Sequence, residues 1–154
     1  MKIFLTTFLL MAIIALFCSV VFADIPPAAI RTQDKSVICD PNIKTGSLRD
    51  VTEADKNAIY KRDGIKANHQ GICNGPRGCE VDHRIPLWNG GSNDYSNLIV
   101  KPFFGKCNMT QKDNFEKRIH KVICDGKLSV NDAQELLYNY WIDGYKIYIN
   151  NRGC

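Results

Sequence analysis

The sequence predicts a domain of the α+β class: a two-stranded hairpin, a helix directly after it, additional packing helices and stabilising disulfides. Two short runs rich in β-branched and apolar residues, 80–86 and 97–102, flank a stretch dense in Gly, Asn, Asp and Ser, 88–96. This pattern is typical of two strands joined by a loop. Apolar residues at helical spacing then predict a helix over 109–123.

The length and the N-terminus bound the number and the location of domains. A chain of 154 residues is of single-domain size. Residues 1–23 combine Lys2, a long apolar run and a small residue, Ala23, which predicts a cleaved secretory signal peptide. We therefore expect one mature domain, 24–154, that is secreted or periplasmic and free of the membrane. The alternative is an uncleaved membrane anchor, because the run is long enough to span a bilayer.

The net charge and the cysteine count bear on the partner of the protein and on its disulfides. The formal net charge of +4 suits a polyanionic partner, although many exported domains are mildly basic and the charge alone decides nothing. Signal cleavage would remove one of the seven cysteines. An even set of six in an exported chain predicts disulfides. A zinc site would need a second close cysteine pair besides Cys73 and Cys79, which the sequence lacks.

The segment before the hairpin is expected to be mostly irregular, with one helix. Residues 24–36 have no periodicity and predict an extended lead-in, 37–39 a short strand or tether, and 41–48 a loop. A helix is predicted over 53–63. Thr52 would cap it with Asp55 in a capping box, and Gly64 would end it.

Two helices are predicted after the hairpin. The helix over 109–123 carries two charge pairs at i,i+4 spacing, Asp113 with Lys117 and Lys112 with Glu116. A solvated helix face explains both pairs as well as any catalytic role does. Ser129 then caps a long C-terminal helix. Its apolar stripe favours core packing against the hairpin over an aromatic platform for bases.

The hairpin motif resembles the core of the HNH endonucleases, the ββα-metal fold. The matching residues are Asp82, His83, Ile85, Pro86, Leu87, Gly90, Gly91, Ser92, Asn93, Asp94, Asn97 and Leu98. The family's third motif position, at the start of the following helix, is Asn108 here, so the chain looks like an H-N-N variant. The segments after the hairpin also look like small secreted bacterial HNH proteins.

The resemblance implies a metal-dependent endonuclease that hydrolyses phosphodiester bonds of nucleic acid, DNA more than RNA. It implies that His83 is the catalytic base and that Asn97 holds the loop and orients His83. Asp82 and Asn108 would bind one divalent cation, and two oxygen ligands favour Mg²⁺ or Mn²⁺. Four basic residues lie near enough in sequence to contact phosphate. They are Arg84, Lys101, Lys106 and Lys112.

Alternatives remain at each of these positions. Asn93 and Asn97 are also common turn formers, and Asn108 is also a common N-cap. The absent third His favours a second hypothesis, a secreted disulfide-stabilised binding protein with the same fold and no efficient catalysis.

The cysteines also allow a specific pairing. Cys73 and Cys79 are a local pair, and the resemblance suggests Cys39 with Cys124. Cys107 and Cys154 then remain, as one choice among several connectivities.

Overall fold

The predicted hairpin is present in a computed structural model, which describes residues 24–65 and 78–154. Strand β1, Cys79–His83, pairs antiparallel with strand β2, Leu98–Pro102. The register sets Cys79 opposite Pro102 and His83 opposite Leu98. Strand β1 ends three residues before the end of the predicted run 80–86, so the connecting segment starts directly after His83. Strand β2 begins one residue after the start of the predicted run 97–102 and ends with it.

Six α-helices surround the hairpin among the described residues, which makes the fold α+β as predicted. In chain order they are α1 Lys35–Ile38, α2 Thr45–Leu48, α3 Glu53–Arg62, α4 Met109–Cys124, α5 Val130–Asn139 and α6 Trp141–Tyr148. Three 3-10 turns add to these, at Pro27–Ala29, Leu87–Asn89 and Tyr95–Asn97. In the described ranges, no helix is long and apolar enough to cross a membrane.

The main core lies between the last three helices and the hairpin loop. Its buried side chains are Ile38, Ile85, Phe115, Ile119, Ile123, Ala133, Leu137, Trp141 and Tyr145. A second cluster lies between α3 and the sheet, where Ile59 packs on Leu98 and Val100. The hairpin is therefore covered by apolar side chains from two directions, which fixes the position of its loop.

Helix termini confirm most of the local predictions. Thr52 and Asp55 form the predicted capping box at the start of α3. Ser129 caps α5 by accepting a hydrogen bond from the backbone N–H of Asp132. Helix α4 covers the predicted span and extends it by one residue, to Cys124.

The predicted single C-terminal helix is instead two helices that meet at Tyr140. Tyr140 has φ −132° and ψ 25°, which ends α5, and α6 begins at the next residue. The new direction brings Gly144 against Phe115 of α4, where an added Cβ would lie 2.5 Å from the ring. A continuous helix would not allow this close packing, and only glycine fits the contact.

The region before α3 also differs from prediction. Residues 37–39 do not form a strand, because α1 covers Lys35–Ile38 and Asp34 caps it through the N–H of Ser36. The alternative prediction, a tether, is confirmed by the disulfide of Cys39. Residues 45–48 of the predicted loop form α2. Both helices are a single turn long, so they are too short to show apolar periodicity.

The predicted disulfides are confirmed where the structure describes both cysteines. Cys39, which follows α1, is bonded to Cys124 at the end of α4. Cys107, just before α4, is bonded to Cys154. Cys79 is also disulfide-bonded. Its predicted partner, Cys73, lies outside the described residues, as does the predicted signal peptide 1–23.

Candidate active site

A cavity of about 350 Å³ opens where the end of β1 meets the loop and helix α4. Asp82 and His83 both line it, although neighbouring residues of a regular strand point to opposite faces. The strand stops at His83 and the chain turns immediately, so the two side chains can share one cavity. Three further carboxyl groups line the same walls, those of Glu80, Asp113 and Glu116.

The imidazole of His83 is buried and held in one orientation. Only 7% of the residue is exposed, and its Nε2 lies 3.0 Å from Oδ1 of Asn93. The Asn93 amide is itself oriented, because its Nδ2 donates to the backbone oxygen of Leu48 at 2.7 Å. Since Oδ1 can only accept, Nε2 of His83 must carry the proton, and Nδ1 of the neutral ring holds the lone pair.

The surroundings of His83 favour this neutral ring. Burial lowers the pKa of His83 below its usual 6.5, and the nearby positive charge of Arg49 lowers it further. The hydrogen bond that His83 donates to Asn93 and the charge of Asp82 oppose that shift but do not reverse it. At neutral pH the residue is therefore a neutral imidazole, protonated at Nε2, whose Nδ1 can accept a proton.

Asn97 holds the loop, as the resemblance implied, but it does not bond to His83. Its Oδ1 accepts from the N–H of Ile85, and its Nδ2 donates to the backbone oxygens of Ile85 and Ser92. The residue is fully buried. A Cβ on Gly91 would lie 2.7 Å from this amide, so the glycine makes room for it. Asn93, not Asn97, contacts the imidazole directly.

The ammonium of Lys112 is buried between the carboxyl groups of Asp82 and Glu116, and these three side chains, the buried triad, form the wall behind His83. The ammonium of Lys112 donates to Oδ2 of Asp82 at 2.6 Å, to the backbone oxygen of His83 at 2.7 Å, and to Oε1 of Glu116. The Lys112 side chain is 1% exposed. Three acceptors match the three N–H donors of an ammonium group, so Lys112 has no donor left for another partner.

Burial and charge act in opposite directions within this triad. Burial lowers the pKa of Lys112, but the two carboxylates beside it outweigh burial and raise the pKa above its usual value. Lys112 is therefore a cation at any physiological pH. For Glu116, burial raises the pKa to about 8, against the attraction of Lys112.

Asn108, the second predicted metal ligand, caps α4 and does not line the cavity. Its Oδ1 accepts from the N–H of Gln111 at 3.2 Å, and its Nδ2 donates to the backbone oxygen of Gly105 at 2.9 Å. The Gln111 side-chain oxygen accepts a hydrogen bond from the N–H of Asn108, which completes a capping box. The structure thus brings Asp82 and His83 together, but not Asp82 and Asn108.

The carboxyl groups of the cavity are the available oxygen donors for the predicted cation. Burial raises the pKa of both Glu80 and Asp113, and the charge of Asp82 raises each further. Oxygen donors suit a hard cation. However, no group of three or more His, Cys, Asp or Glu side chains is placed to hold a metal ion within 24–65 and 78–154. With Asp82 bound to Lys112 and Asn108 acting as a cap, these residues do not fit the implied metal.

The basic residues that lie near the motif in sequence differ in their burial and in their contacts. Lys112 is buried and its three donors are engaged, so it is not placed to contact phosphate. Lys101 lies over the Trp141 ring, 4.3 Å from its centroid, and burial lowers its pKa to about 8. Arg84 lies over the Tyr138 ring at 5.2 Å. Two other cations, Arg49 and Lys117, are exposed and line the cavity.

Sequence reasoning also missed a group of buried amides behind the loop. Asn89 is fully buried, and it accepts a hydrogen bond from Nδ1 of His120 at 2.9 Å. Gln134 of α5 donates to the backbone oxygen of Asn89 at 3.0 Å. The sequence signal was the position of Gln134, because it lies directly beside Ala133 and three residues before Leu137 of the apolar stripe.

No protein-family model matches the chain, no curated protein matches it, and no solved structure matches it. The likeness to HNH endonucleases therefore depends on the motif residues alone.

Proposed function

We propose that this protein is an endonuclease that hydrolyses phosphodiester bonds of nucleic acid, with His83 as the general base. One observation carries the proposal. A buried, neutral imidazole with a fixed tautomer lies in the wall of a cavity large enough for a phosphate and its sugar. General-base catalysis requires this arrangement of a positioned lone pair beside a water-accessible space.

The proposed reaction starts with a water molecule between His83 and the scissile phosphate. Nδ1 of His83 takes a proton from the water as its oxygen bonds to phosphorus. The bond from phosphorus to the leaving oxygen breaks, and that oxygen takes a proton from solvent. Asn93 keeps Nδ1 directed away from its own amide, because it binds the opposite ring nitrogen.

The cationic rim supports a phosphate-containing substrate. Arg49 and Lys117 are the exposed cations of the cavity lining, and a guanidinium can bind a phosphate with two parallel hydrogen bonds. The net charge of the chain, +4, has the sign expected for association with a polyanion. DNA as the preferred substrate, rather than RNA, remains a prediction from the resemblance.

Dependence on Mg²⁺ or Mn²⁺ also remains a prediction from the resemblance. In that prediction the metal would stabilise charge on the phosphate and the leaving oxygen. The ligand pair that it names, Asp82 and Asn108, is engaged in other interactions within the described residues.

A second candidate function is binding of nucleic acid without efficient cleavage. The binding function is favoured by the bond of Lys112 to Asp82 and by the capping role of Asn108, which leave neither residue available to a metal ion. Without a metal ion, the site would lack one source of transition-state stabilisation. The scaffold and the rim cations would be unchanged. The two functions differ in whether the protein nicks its substrate.

The test compares His83→Ala with the wild type and with a matched control, His120→Ala. His120 is half-buried behind the loop and does not line the cavity. We expect His83→Ala to lower the rate of plasmid nicking by about 10² to 10⁴, the usual contribution of a general base, and His120→Ala to lower it far less. Thermal melting of the same preparations shows whether the variants are folded.

The pH profile adds an independent readout. Because burial lowers the pKa of His83, activity should rise with pH through a value below 6.5 and be level near pH 7. A folded His83→Ala variant that nicks DNA and RNA like the wild type would refute the assignment. Absence of cleavage by the wild type with or without Mg²⁺ or Mn²⁺ would leave the binding function.

A further inference from the structure

The cavity holds an unusual density of acidic groups for a site that must accept a phosphate. Four carboxyl side chains line it, against two exposed cations. Carboxylates at such a site normally repel a phosphate anion unless a cation neutralises them. The structure contains one cation that touches two of the four, the buried ammonium of Lys112.

We propose that Lys112 is the built-in cation of this site, taking the place of a divalent metal ion at Asp82, so that phosphodiester cleavage needs no added metal. The catalytic part of this inference rests on the proposed nuclease function. Its structural part, that Lys112 excludes a metal ion from Asp82, stands on the geometry of the triad.

The geometry of the ammonium supports the exclusion. Its three donors are all used, on Asp82, on Glu116 and on the backbone oxygen of His83. A divalent ion on the Asp82 carboxylate would lie a few ångströms from this fixed positive charge. Two like charges at that distance in a poorly solvated wall repel each other strongly, which weakens metal binding.

Lys112 also does what a metal ion would do for the rest of the site. It offsets the negative charge of Asp82, so this carboxylate does not repel the incoming phosphate. Through the backbone oxygen of His83 it also fixes the end of β1, where the chain must turn for His83 to face the cavity. Lys112 itself does not line the cavity, so it is a positioning residue and does not contact the substrate.

The test measures Mn²⁺ binding by the loss of the electron paramagnetic resonance signal of free Mn²⁺. We expect no stoichiometric binding by the wild type, and one bound Mn²⁺ per chain for Lys112→Met, which frees both carboxylates. Adding Asp82→Asn to Lys112→Met should abolish that binding. Lys117→Met is the matched control, because it removes an exposed lysine of the same helix and frees no buried carboxylate. It should bind no more Mn²⁺ than the wild type.

Lys112→Met leaves Asp82 and the buried Glu116 without their cation, so a second variant guards against unfolding. Lys112→Met with Glu116→Leu removes one of the two and keeps Asp82 free, and it should also gain Mn²⁺ binding. Stoichiometric Mn²⁺ binding by the wild type that Asp82→Asn abolishes would overturn the proposal. So would folded Lys112 variants that bind no more Mn²⁺ than the wild type.

Plasmid nicking by the wild type separates this inference from the proposed function. Equal nicking in EDTA and in Mg²⁺ is the expected result and supports both. Nicking that needs Mg²⁺ and Asp82 would overturn the role of Lys112 and keep the nuclease function. Gain of Mn²⁺ binding in Lys112→Met, with no nicking by the wild type in any buffer, would refute the nuclease function and support the exclusion of metal by Lys112.

Discussion

The two sides of the cavity are held together by opposite kinds of polar interaction. On one side, the loop between the strands is held by neutral amides, those of Asn89, Asn93 and Asn97. On the other side, the buried triad holds the end of β1 to α4 through an ammonium and two carboxyl groups. His83 lies between them, with its ring bonded to the amide side and its backbone oxygen to the charged side.

The two sides differ in how they respond to pH. Amides do not titrate, so the loop should keep its shape at any pH at which the protein is folded. The buried triad depends on its charges, because a buried carboxylate without its cation carries a large desolvation cost. The amide side thus sets the orientation of the His83 ring. The buried triad sets its electrostatic environment, which changes when the carboxyl groups titrate.

The largest effect on stability should come from removing the cation of the triad. We expect Lys112→Met to lower the free energy of unfolding by about 3 to 5 kcal/mol, the usual cost of breaking a buried ion pair from one side. Urea denaturation measures it. Lys117→Met, on the exposed face of the same helix, should stay within about 0.5 kcal/mol of the wild type.

The cost of Lys112→Met should also depend on pH, because protonation of the freed carboxyl groups removes their uncompensated charge. The loss should shrink as the pH falls toward 4. A loss equal to that of Lys117→Met at every pH would mean that the triad contributes nothing through its charge.

A somewhat smaller effect is expected on the neutral side. Asn97→Ala leaves the N–H and the oxygen of Ile85 and the oxygen of Ser92 without their partner. Unpaired buried groups cost about 1 to 3 kcal/mol each, and with partial solvation we expect a total loss of about 3 kcal/mol. This loss should be the same from pH 5 to pH 8, which urea denaturation at several pH values would show.

Asn97→Asp is the matched variant, since it keeps the acceptor for Ile85 and adds a titratable group to the neutral side. Its loss should be larger at pH 8 than at pH 5, because the buried carboxyl must ionise as the pH rises. If Asn97→Ala showed that pH dependence as well, the contrast between the two sides would be wrong.

The last effect is a dependence of stability on pH that comes from Glu116. Burial raises the folded-state pKa of Glu116 from 4.5 to about 8, so the folded protein keeps this proton at pH values where the unfolded chain has lost it. Stability from this group is fully present below 4.5 and falls as the pH rises to about 8. Glu116→Gln removes that decline and keeps an acceptor for Lys112.

The measurement is the difference in free energy of unfolding between Glu116→Gln and the wild type. Taking the difference cancels His83 and His120, whose lowered pKa values make stability rise with pH in the same range. The variant should improve relative to the wild type between pH 5 and pH 8. A difference that is constant across this range would contradict a raised pKa for Glu116.

Features that depend on neighbouring residues could be predicted from the sequence. The capping boxes at Thr52 and Asn108 each join residues three apart, so their residue types suffice to recognise them. The hairpin and α4 follow from periodicity over longer spans. For Asn108, the capping interpretation describes its contacts, and the metal interpretation depended on the family resemblance alone.

The roles of Asn93 and Lys112 could not be predicted in the same way. The amide of Asn93 is oriented by Leu48, which is 45 positions away in the chain. Lys112 and Glu116 have the spacing of a solvated pair, and the sequence does not state which face of α4 they occupy. A signal was present, because Lys112 is three residues before Phe115 and seven before Ile119, on the apolar stripe of the helix.

The two described disulfides interlock along the chain, since Cys107 lies between Cys39 and Cys124, and Cys124 lies between Cys107 and Cys154. A single cut by a protease anywhere from Cys39 to Cys154 therefore leaves both pieces joined by at least one bridge. The two walls of the cavity would stay attached after such a nick. In surroundings rich in proteases, a nicked molecule would separate into fragments only after reduction.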